Sequence, residues 1–161
     1  KNPLTSRGRL QIKNAAEKLK NKNIDFIFSS PLFRTKETAD IIAKALGIKL
    51  KIDRRLRELG FGIFNGKQEA RFMKYFNEMA ERLKKKAPGG ENYTEGLERV
   101  WDFFKEINKK YKGKNILIIS HQVPLLLLLG RILGEPILKS MDSVIDVGEK
   151  RITKGELIEL N

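Results

Sequence analysis

A lone histidine is the side chain best suited to chemistry near neutral pH. His121 is the only histidine among the 161 residues, and it lies in the chain directly after the mainly apolar run 115–120. An apolar run of this length predicts a buried strand, and an imidazole at its end can hold an anion or transfer a proton. Ligands of open α/β folds collect where such strands end. The alternative is a packed, hydrogen-bonded histidine without a chemical role.

A second group of polar residues follows an earlier apolar run. Ser29, Ser30 and Pro31 come directly after residues 24–28, and Arg34 falls in the first turn of the helix predicted next. A helix N-terminus offers free backbone N–H groups and a partial positive charge, and a guanidinium matches the oxygens of a phosphate. These residues predict an anion site, against the alternative of a helix cap with a surface arginine.

A single acidic residue lies in a loop that holds three glycines. Glu58 stands near the start of this loop, residues 56–66, which we call the acid loop. A partly desolvated carboxylate in such a loop can keep a proton and act as a general acid. The alternative is a surface ion pair with Arg54, Arg55 or Arg57.

The order of the predicted elements brings the three candidates to one edge of a sheet. Helix and strand patterns alternate, which predicts an α/β fold with a mostly parallel sheet in one domain, residues 1–161. Parallel strands end at the same edge, so we expect Arg34, Glu58 and His121 to converge. The predicted strands cover residues 24–28, 48–52, 115–119, 144–147 and 157–160. The predicted helices cover residues 5–21, 34–46, 68–86, 92–110 and 123–133, with Leu10, Ala15, Ala16 and Leu19 buried on the first and Asn92 and Glu95 forming a capping box on the fourth.

The composition excludes several kinds of site. Cysteine is absent, so the chain has no disulfide, no thiolate metal site and no cysteine nucleophile. No apolar run approaches the roughly 20 residues of a membrane helix, and the first residues do not follow the pattern of a signal peptide. We expect a cytoplasmic protein that does not bind membranes.

The net charge of +13 points to anionic ligands. A field of this sign attracts phosphates, nucleic acid or anionic lipid. Most lysines lie among Glu and Asn on predicted helices, as in residues 81–86, which is typical of a solvated face. Aromatic residues are not interleaved with the basic ones as in single-strand binders. Nucleic acid is therefore not the partner expected for the main role of the domain.

Taken in order, these segments resemble the histidine phosphatase superfamily, which has the phosphoglycerate mutase-like fold. The resemblance covers nearly the whole chain. Five segments carry it: Asn2–Thr5 with Gly8 and Gln11; Ser29–Leu32 with Arg34, Thr38 and Ala39; Leu56–Glu58 with Phe61, Gly62 and Gly66; Gly89–Glu91; and Ser120 with His121.

The resemblance implies a fold, a reaction and a role for each candidate. The fold is a three-layer α/β/α sandwich, and the reaction is hydrolysis of a phosphorylated small molecule through a phosphohistidine, without metal or cofactor. Arg34 would bind the transferring phosphoryl group together with His121 and Gln122, and His121 would donate to its oxygens as charge builds. Glu58 would protonate the leaving oxygen and then activate water.

Two departures from the family pattern affect these expectations. The Arg-His-Gly motif that carries the family's nucleophile is absent, and the resemblance places it upstream of Lys1, together with the first strand. Gln122 stands where the family usually has glycine, which puts close backbone approach to phosphate in question. A non-catalytic phospho-ligand or RNA-associated module of a larger protein, for example beside an aminoacyl-tRNA synthetase domain, is therefore the alternative function.

The segment between Glu58 and Glu91 bears on the choice between phosphatase and mutase. It is shorter than in phosphoglycerate mutases, which favours a phosphatase and leaves mutase activity as a third possibility. In this fold the segment would overhang the pocket. Lys67, Arg71 and Lys74 would then favour multiply charged substrates, against the alternative of a solvated basic face.

Overall fold

A three-stranded parallel sheet forms the centre of the protein. The computed structural model describes residues 3–67, 69–145 and 157–159. The strands are β1 (Phe26–Ser29), β2 (Leu50–Ile52) and β3 (Ile116–Ile119), in the order β2-β1-β3. In the described part of the chain β3 pairs with β1 alone. Ser29 is in register with Ile52 and with Ile119, so the three strands end level at one edge of the sheet.

Six α-helices surround the sheet in the described residues. They are α1 (Ser6–Leu19), α2 (Phe33–Leu46), α3 (Glu69–Met73), α4 (Tyr93–Lys110), α5 (Gln122–Ile132) and α6 (Ile137–Ile145). Local residues cap three of these helices, and the predicted capping box is confirmed. Thr5 accepts the Gly8 N–H at the start of α1, and Gly47 ends α2 with a φ of 69°. Asn92 and Glu95 form a capping box on α4.

Apolar side chains on both faces of the sheet produce three layers. Alternating residues of β1 point to opposite faces: Ile27 packs with α1 and α2, whereas Phe28 packs with α4 and α5. Phe103 of α4 is fully buried against Phe28, with ring centroids 5.4 Å apart. The predicted α/β/α sandwich with a parallel sheet is confirmed. No helix in the described part of the chain is both long and apolar enough to cross a membrane.

The predicted helix over residues 68–86 is wrong, and Gln68 lies outside the described residues. The short helix α3 ends at Met73, and a 3₁₀ turn covers Met79–Leu83. In a continuous helix the Met73 carbonyl would accept the N–H of Asn77. Arg82 Nη2 donates to that carbonyl instead, and Asn77 N–H donates to the Glu81 carboxylate. Side-chain bonds therefore replace the helical ones, and apolar periodicity does not reveal them.

Two strands predicted for the tail are also wrong where the structure describes them. Residues 144 and 145 belong to α6, and residues 157–159 form no strand, while the rest of both segments lies outside the described residues. The helix α6 packs on α5, where Gly130 closely approaches Ser140 and Met141 is fully buried. This tertiary contact outweighs the β-branched composition of the segment.

The buried face of α1 differs from the prediction at three residues: Leu10 is exposed, Ala15 is half-buried, and Ile12 is buried although it was not predicted to be. The buried residues are Ile12, Ala16 and Leu19, which follow the spacing i, i+4, i+7. Leu10 lies on the opposite side of the helix and is 60% exposed. The helix also ends at Leu19, and a 3₁₀ turn continues it to Lys22.

Candidate active site

Arg34, Glu58 and His121 meet at the edge where the parallel strands end. Arg34 Nη2 lies 2.8 Å from His121 Nδ1 and 3.6 Å from Glu58 Oε2. Glu58 Oε2 is 3.7 Å from the same Nδ1. The three side chains, which are 87 residues apart at the extremes, thus form one cluster. Their convergence agrees with the expectation from the sequence.

The local structure at each strand end sets these positions. The turn after β1 is held by Thr35, whose hydroxyl donates to the Leu32 carbonyl, and by Ser29, whose hydroxyl donates to the Thr35 carbonyl. This turn places Arg34 in the first turn of α2. After β3, the Ser120 hydroxyl donates to the Leu56 carbonyl at 2.7 Å and ties the strand end to the acid loop. His121 follows at the N-cap position of α5.

The imidazole of His121 is held neutral. Its side chain is 2% exposed, and burial together with the charges of Arg34 and Arg99 lowers its pKa from 6.5 to about 3. The ring nitrogens contact Arg34 through Nδ1 and Ser30 Oγ through Nε2, the latter at 2.8 Å. A buried, neutral, doubly hydrogen-bonded imidazole next to a guanidinium can contact a bound anion and can take up a proton.

The carboxylate of Glu58 lies beside Arg34 and His121, and two of the three arginines that were its alternative partners pair with other carboxylates. Arg55 pairs with three carboxylates at 2.7–2.9 Å, those of Asp53, Asp102 and Glu106. Arg57 pairs with Glu91 at 2.5 Å. The side chain of Glu58 is 19% exposed and faces Arg34 and His121. Its Oε2 lies 3.6 Å from Arg34 Nη2 and 3.7 Å from His121 Nδ1. This position suits a group that exchanges a proton with a bound phosphate ester.

An ion-pair cluster of Arg99, Glu91 and Arg57 holds the acid loop in position. Arg99 of α4 forms a bidentate pair with Glu91 at 2.9 and 3.0 Å, and its Nη1 donates to the carbonyls of Arg55 and Arg57. Glu91 also accepts the Gly60 N–H at 2.9 Å. Bidentate pairs restrict orientation as well as distance. The cluster therefore positions the loop that carries the acid.

Sequence reasoning missed some residues of the site and left others open. Arg99 lies within α4, where its position in the sequence pattern is that of an ordinary solvent-exposed arginine. No sequence signal therefore marked it. Ser30 was part of the anion segment, but its bond to the histidine depends on strand register. Gln122 is half-buried at the first position of α5, and its phosphate contact stays a prediction. Among the described residues no group of three His, Cys, Asp or Glu side chains has the geometry of a metal site.

The arrangement of strand ends and charged side chains agrees with comparisons to known proteins. A sequence model of the "Histidine phosphatase superfamily (branch 1)" matches residues 2–149. "Probable phosphoglycerate mutase GpmB" of Salmonella choleraesuis is 34% identical over 139 residues, which are 83% of this chain and 65% of that protein. "Phosphoserine phosphatase 1" of Hydrogenobacter thermophilus is 31% identical over 136 residues, 81% of this chain and 64% of that protein.

Solved structures give the same result. The alpha-ribazole phosphatase from Shigella flexneri superposes with a TM-score of 0.76 at 26% identity, covering 95% of this chain and 75% of the other. The chain spans about two thirds of the curated relatives that it matches, at 65% and 64% of their length. Given the match of residues 2–149, the chain belongs to the histidine phosphatase superfamily, branch 1.

Proposed function

We propose that the complete protein is a phosphomonoesterase that works through a phosphohistidine and needs no metal ion. The observation that supports this most directly is the cluster of Arg34, Glu58 and His121 at the strand ends. The naming of two relatives as phosphatases, of phosphoserine and of alpha-ribazole, also supports it. The expected substrate is a phosphorylated small molecule, and the protein is expected in the cytoplasm.

Each side chain has a separate role in this reaction. The Arg34 fork would bind two phosphoryl oxygens, and the positive charge of Arg99, which also acts on His121, would add to the field. His121 would donate to a third oxygen as negative charge builds in the transition state. Glu58 would give a proton to the leaving oxygen and later take one from the attacking water, which reverses its first role.

The nucleophile in this proposal is a histidine outside residues 1–161. In the described sheet β3 has no strand on its outer edge, and a parallel strand there would end next to His121. A histidine after such a strand could attack phosphorus in line with the oxygen that Glu58 protonates. The attack would form an N–P bond as the P–O bond breaks, and water would then release phosphate.

Hydrolysis of an aryl phosphate tests the proposal, using the chain with its native upstream residues. Arg34→Ala and His121→Ala should each lower kcat/KM by roughly 10²–10³, because each removes a group that faces the developing charge. Arg54→Ala is the matched control, since it removes an equal charge from an exposed position outside the cluster. Unchanged rates in the first two variants would show that the cluster does not carry the reaction.

Phosphoglycerate mutase activity is the second candidate, because a relative of 34% identity is named as a probable mutase. The two activities differ in their products. Incubation with 3-phosphoglycerate would give 2-phosphoglycerate from a mutase, and glycerate with inorganic phosphate from a phosphatase. Our proposal expects phosphate release to dominate.

A non-catalytic RNA-associated module is the remaining alternative. It would bind tRNA near micromolar concentration with a steep dependence on salt, because phosphate contacts release counterions. Absence of such binding at two salt concentrations would exclude it as the main role.

A further inference from the structure

The hydrogen bonds around His121 determine which ring nitrogen carries the proton. Arg34 Nη2 lies 2.8 Å from Nδ1. A guanidinium only donates, so Nδ1 must accept and carries no proton. In a neutral imidazole the proton is then on Nε2, which lies 2.8 Å from Ser30 Oγ. The resting ring is therefore the Nε2–H tautomer.

Ser30 is placed to hold that proton in every state of the ring. Its side chain is fully buried, and its Oγ also accepts the Leu32 N–H at 3.2 Å. A hydroxyl oxygen has two lone pairs, and the two donors use both. Since Nε2 keeps its proton in the neutral and in the charged ring, Ser30 can accept from it before and after the ring is protonated.

An incoming phosphoryl group changes the environment of the other nitrogen. Binding draws the Arg34 N–H groups towards the phosphate oxygens, and the lone pair of Nδ1 is then left facing an anion. Two acceptors repel each other unless a proton lies between them, and a proton there makes a charge-assisted hydrogen bond. The charged groups that face the ring are Arg34 from α2, Arg99 from α4 and Glu58 from the acid loop. The two arginines oppose protonation in the resting site, and the added anion reverses that balance.

We propose that binding of the phosphoryl group is coupled to uptake of one proton by Nδ1 of His121, with Ser30 as the positioning residue that holds the proton on Nε2. The proton comes from water or buffer and forms an N–H bond with the Nδ1 lone pair. The ring changes from neutral to singly positive, and no bond of the ligand breaks. The proposal rests on the phosphate site of the proposed function and adds its protonation state.

Sulfate is the probe that tests this coupling at about pH 5, where the ring of the free protein is still neutral and sulfate remains a dianion that does not itself take up the proton. Comparison with His121→Gln, in the chain with its native upstream residues, assigns the two ¹⁵N resonances of the one histidine within residues 1–161. They should report the Nε2–H tautomer before sulfate is added and a doubly protonated ring at saturation. Calorimetry in two buffers of different protonation enthalpy should give uptake of about one proton per sulfate.

Three variants identify where the proton goes. Glu58→Gln removes the other nearby group that can take one up, and uptake by His121 should persist. Ser30→Ala should keep sulfate binding but lower the proton uptake, because the charged ring loses its Nε2 acceptor. Ser29→Ala is the matched control, since Ser29 is equally buried and its hydroxyl donates to the Ser30 and Thr35 carbonyls of the turn rather than contacting the ring. If Ser30→Ala fails to fold, the ¹⁵N shifts of the wild type still decide.

The possible failures are distinguishable. Sulfate binding that depends on Arg34 but leaves His121 neutral would overturn the coupling and leave the phosphate site intact. Absence of any response of His121 to sulfate would overturn the coupling and count against the proposed function as well. An equal loss of proton uptake in Ser29→Ala and Ser30→Ala would refute the role of Ser30.

Discussion

Acidification from about pH 7.5 to about pH 5.5 should destabilise the protein through protonation of His121 in the unfolded chain. Its pKa is lowered to about 3 in the folded chain by burial and by the neighbouring arginines, from 6.5 in the unfolded chain. Between these values the unfolded chain binds more protons than the folded one. The contribution to stability is therefore complete above pH 6.5 and is lost as the pH falls towards the folded value.

The size of the effect follows from the two pKa values. The folded ring stays neutral throughout this range, so the loss is that of protonating an unfolded histidine. It amounts to about 1.4 kcal/mol between about pH 7.5 and about pH 5.5, which corresponds to a fall in Tm of about 3–6 °C for a domain of this size. Unfolding at about pH 5.5 should take up about 0.9 proton. Carboxylates whose pKa is lowered by ion pairs, such as Glu81 and Glu95, lose their contribution only in more acidic solution.

Urea unfolding followed by circular dichroism across this pH range measures the effect. The buffers must contain no phosphate or sulfate, because a bound anion would stabilise the folded state. His121→Gln is the control, since an amide keeps hydrogen-bonding groups in the site but does not titrate. The stability of this variant should be flat over the range. A flat wild type, or an equal slope in both proteins, would refute the assignment of a neutral, buried His121.

Three further predictions, with four substitutions, test the parts that support the site. Gly62→Ala should cost several kcal/mol of the free energy of unfolding, because the φ of Gly62 is 56° and a Cβ would overlap a backbone carbonyl of the facing turn. Gly66 also has a positive φ, 74°, but has open space around it. Gly66→Ala should therefore cost only ~1 kcal/mol. Equal losses in thermal unfolding would contradict this reasoning. Arg99→Met should cost ~3 kcal/mol and lower kcat, since it leaves the buried Glu91 carboxylate short of its main partner; a neutral effect in urea titration would show that Arg99 does not hold the acid loop. Asn92→Ala should cost ~1 kcal/mol through loss of the capping box, and an unchanged urea midpoint would contradict it.

The strand ends and helix caps are the part of the structure that the sequence predicted best. The apolar run before His121 and the turn residues after β1 fixed the positions of two site residues without any tertiary information. The Asn92–Glu95 pair marked the start of α4 correctly. These features depend on a few neighbouring residues, and therefore local rules describe them well.

Features that depend on distant contacts were predicted poorly. The segment after the acid loop has helical periodicity, yet the guanidinium of Arg82 reaches back to Met73 and is buried between the rings of Phe72 and Phe76. The sequence could not identify the arginine next to Glu58. Three arginines lie close to Glu58 in the chain, but the one that approaches it in the fold is Arg34, 24 residues upstream. The register of the parallel strands brings the ends of β1 and β2, and with them Arg34 and Glu58, to the same edge of the sheet.

The central claim is that Arg34, Glu58 and His121 serve a phosphohistidine on a further histidine. Its most direct test is trapping of the intermediate from a ³²P-labelled phosphomonoester, using rapid quench in base with the chain that carries its native upstream residues. The label should be stable in base, labile in acid, located on a histidine outside residues 1–161, and lost in Arg34→Ala. Turnover without any labelled histidine, or label on His121 itself, would contradict the account.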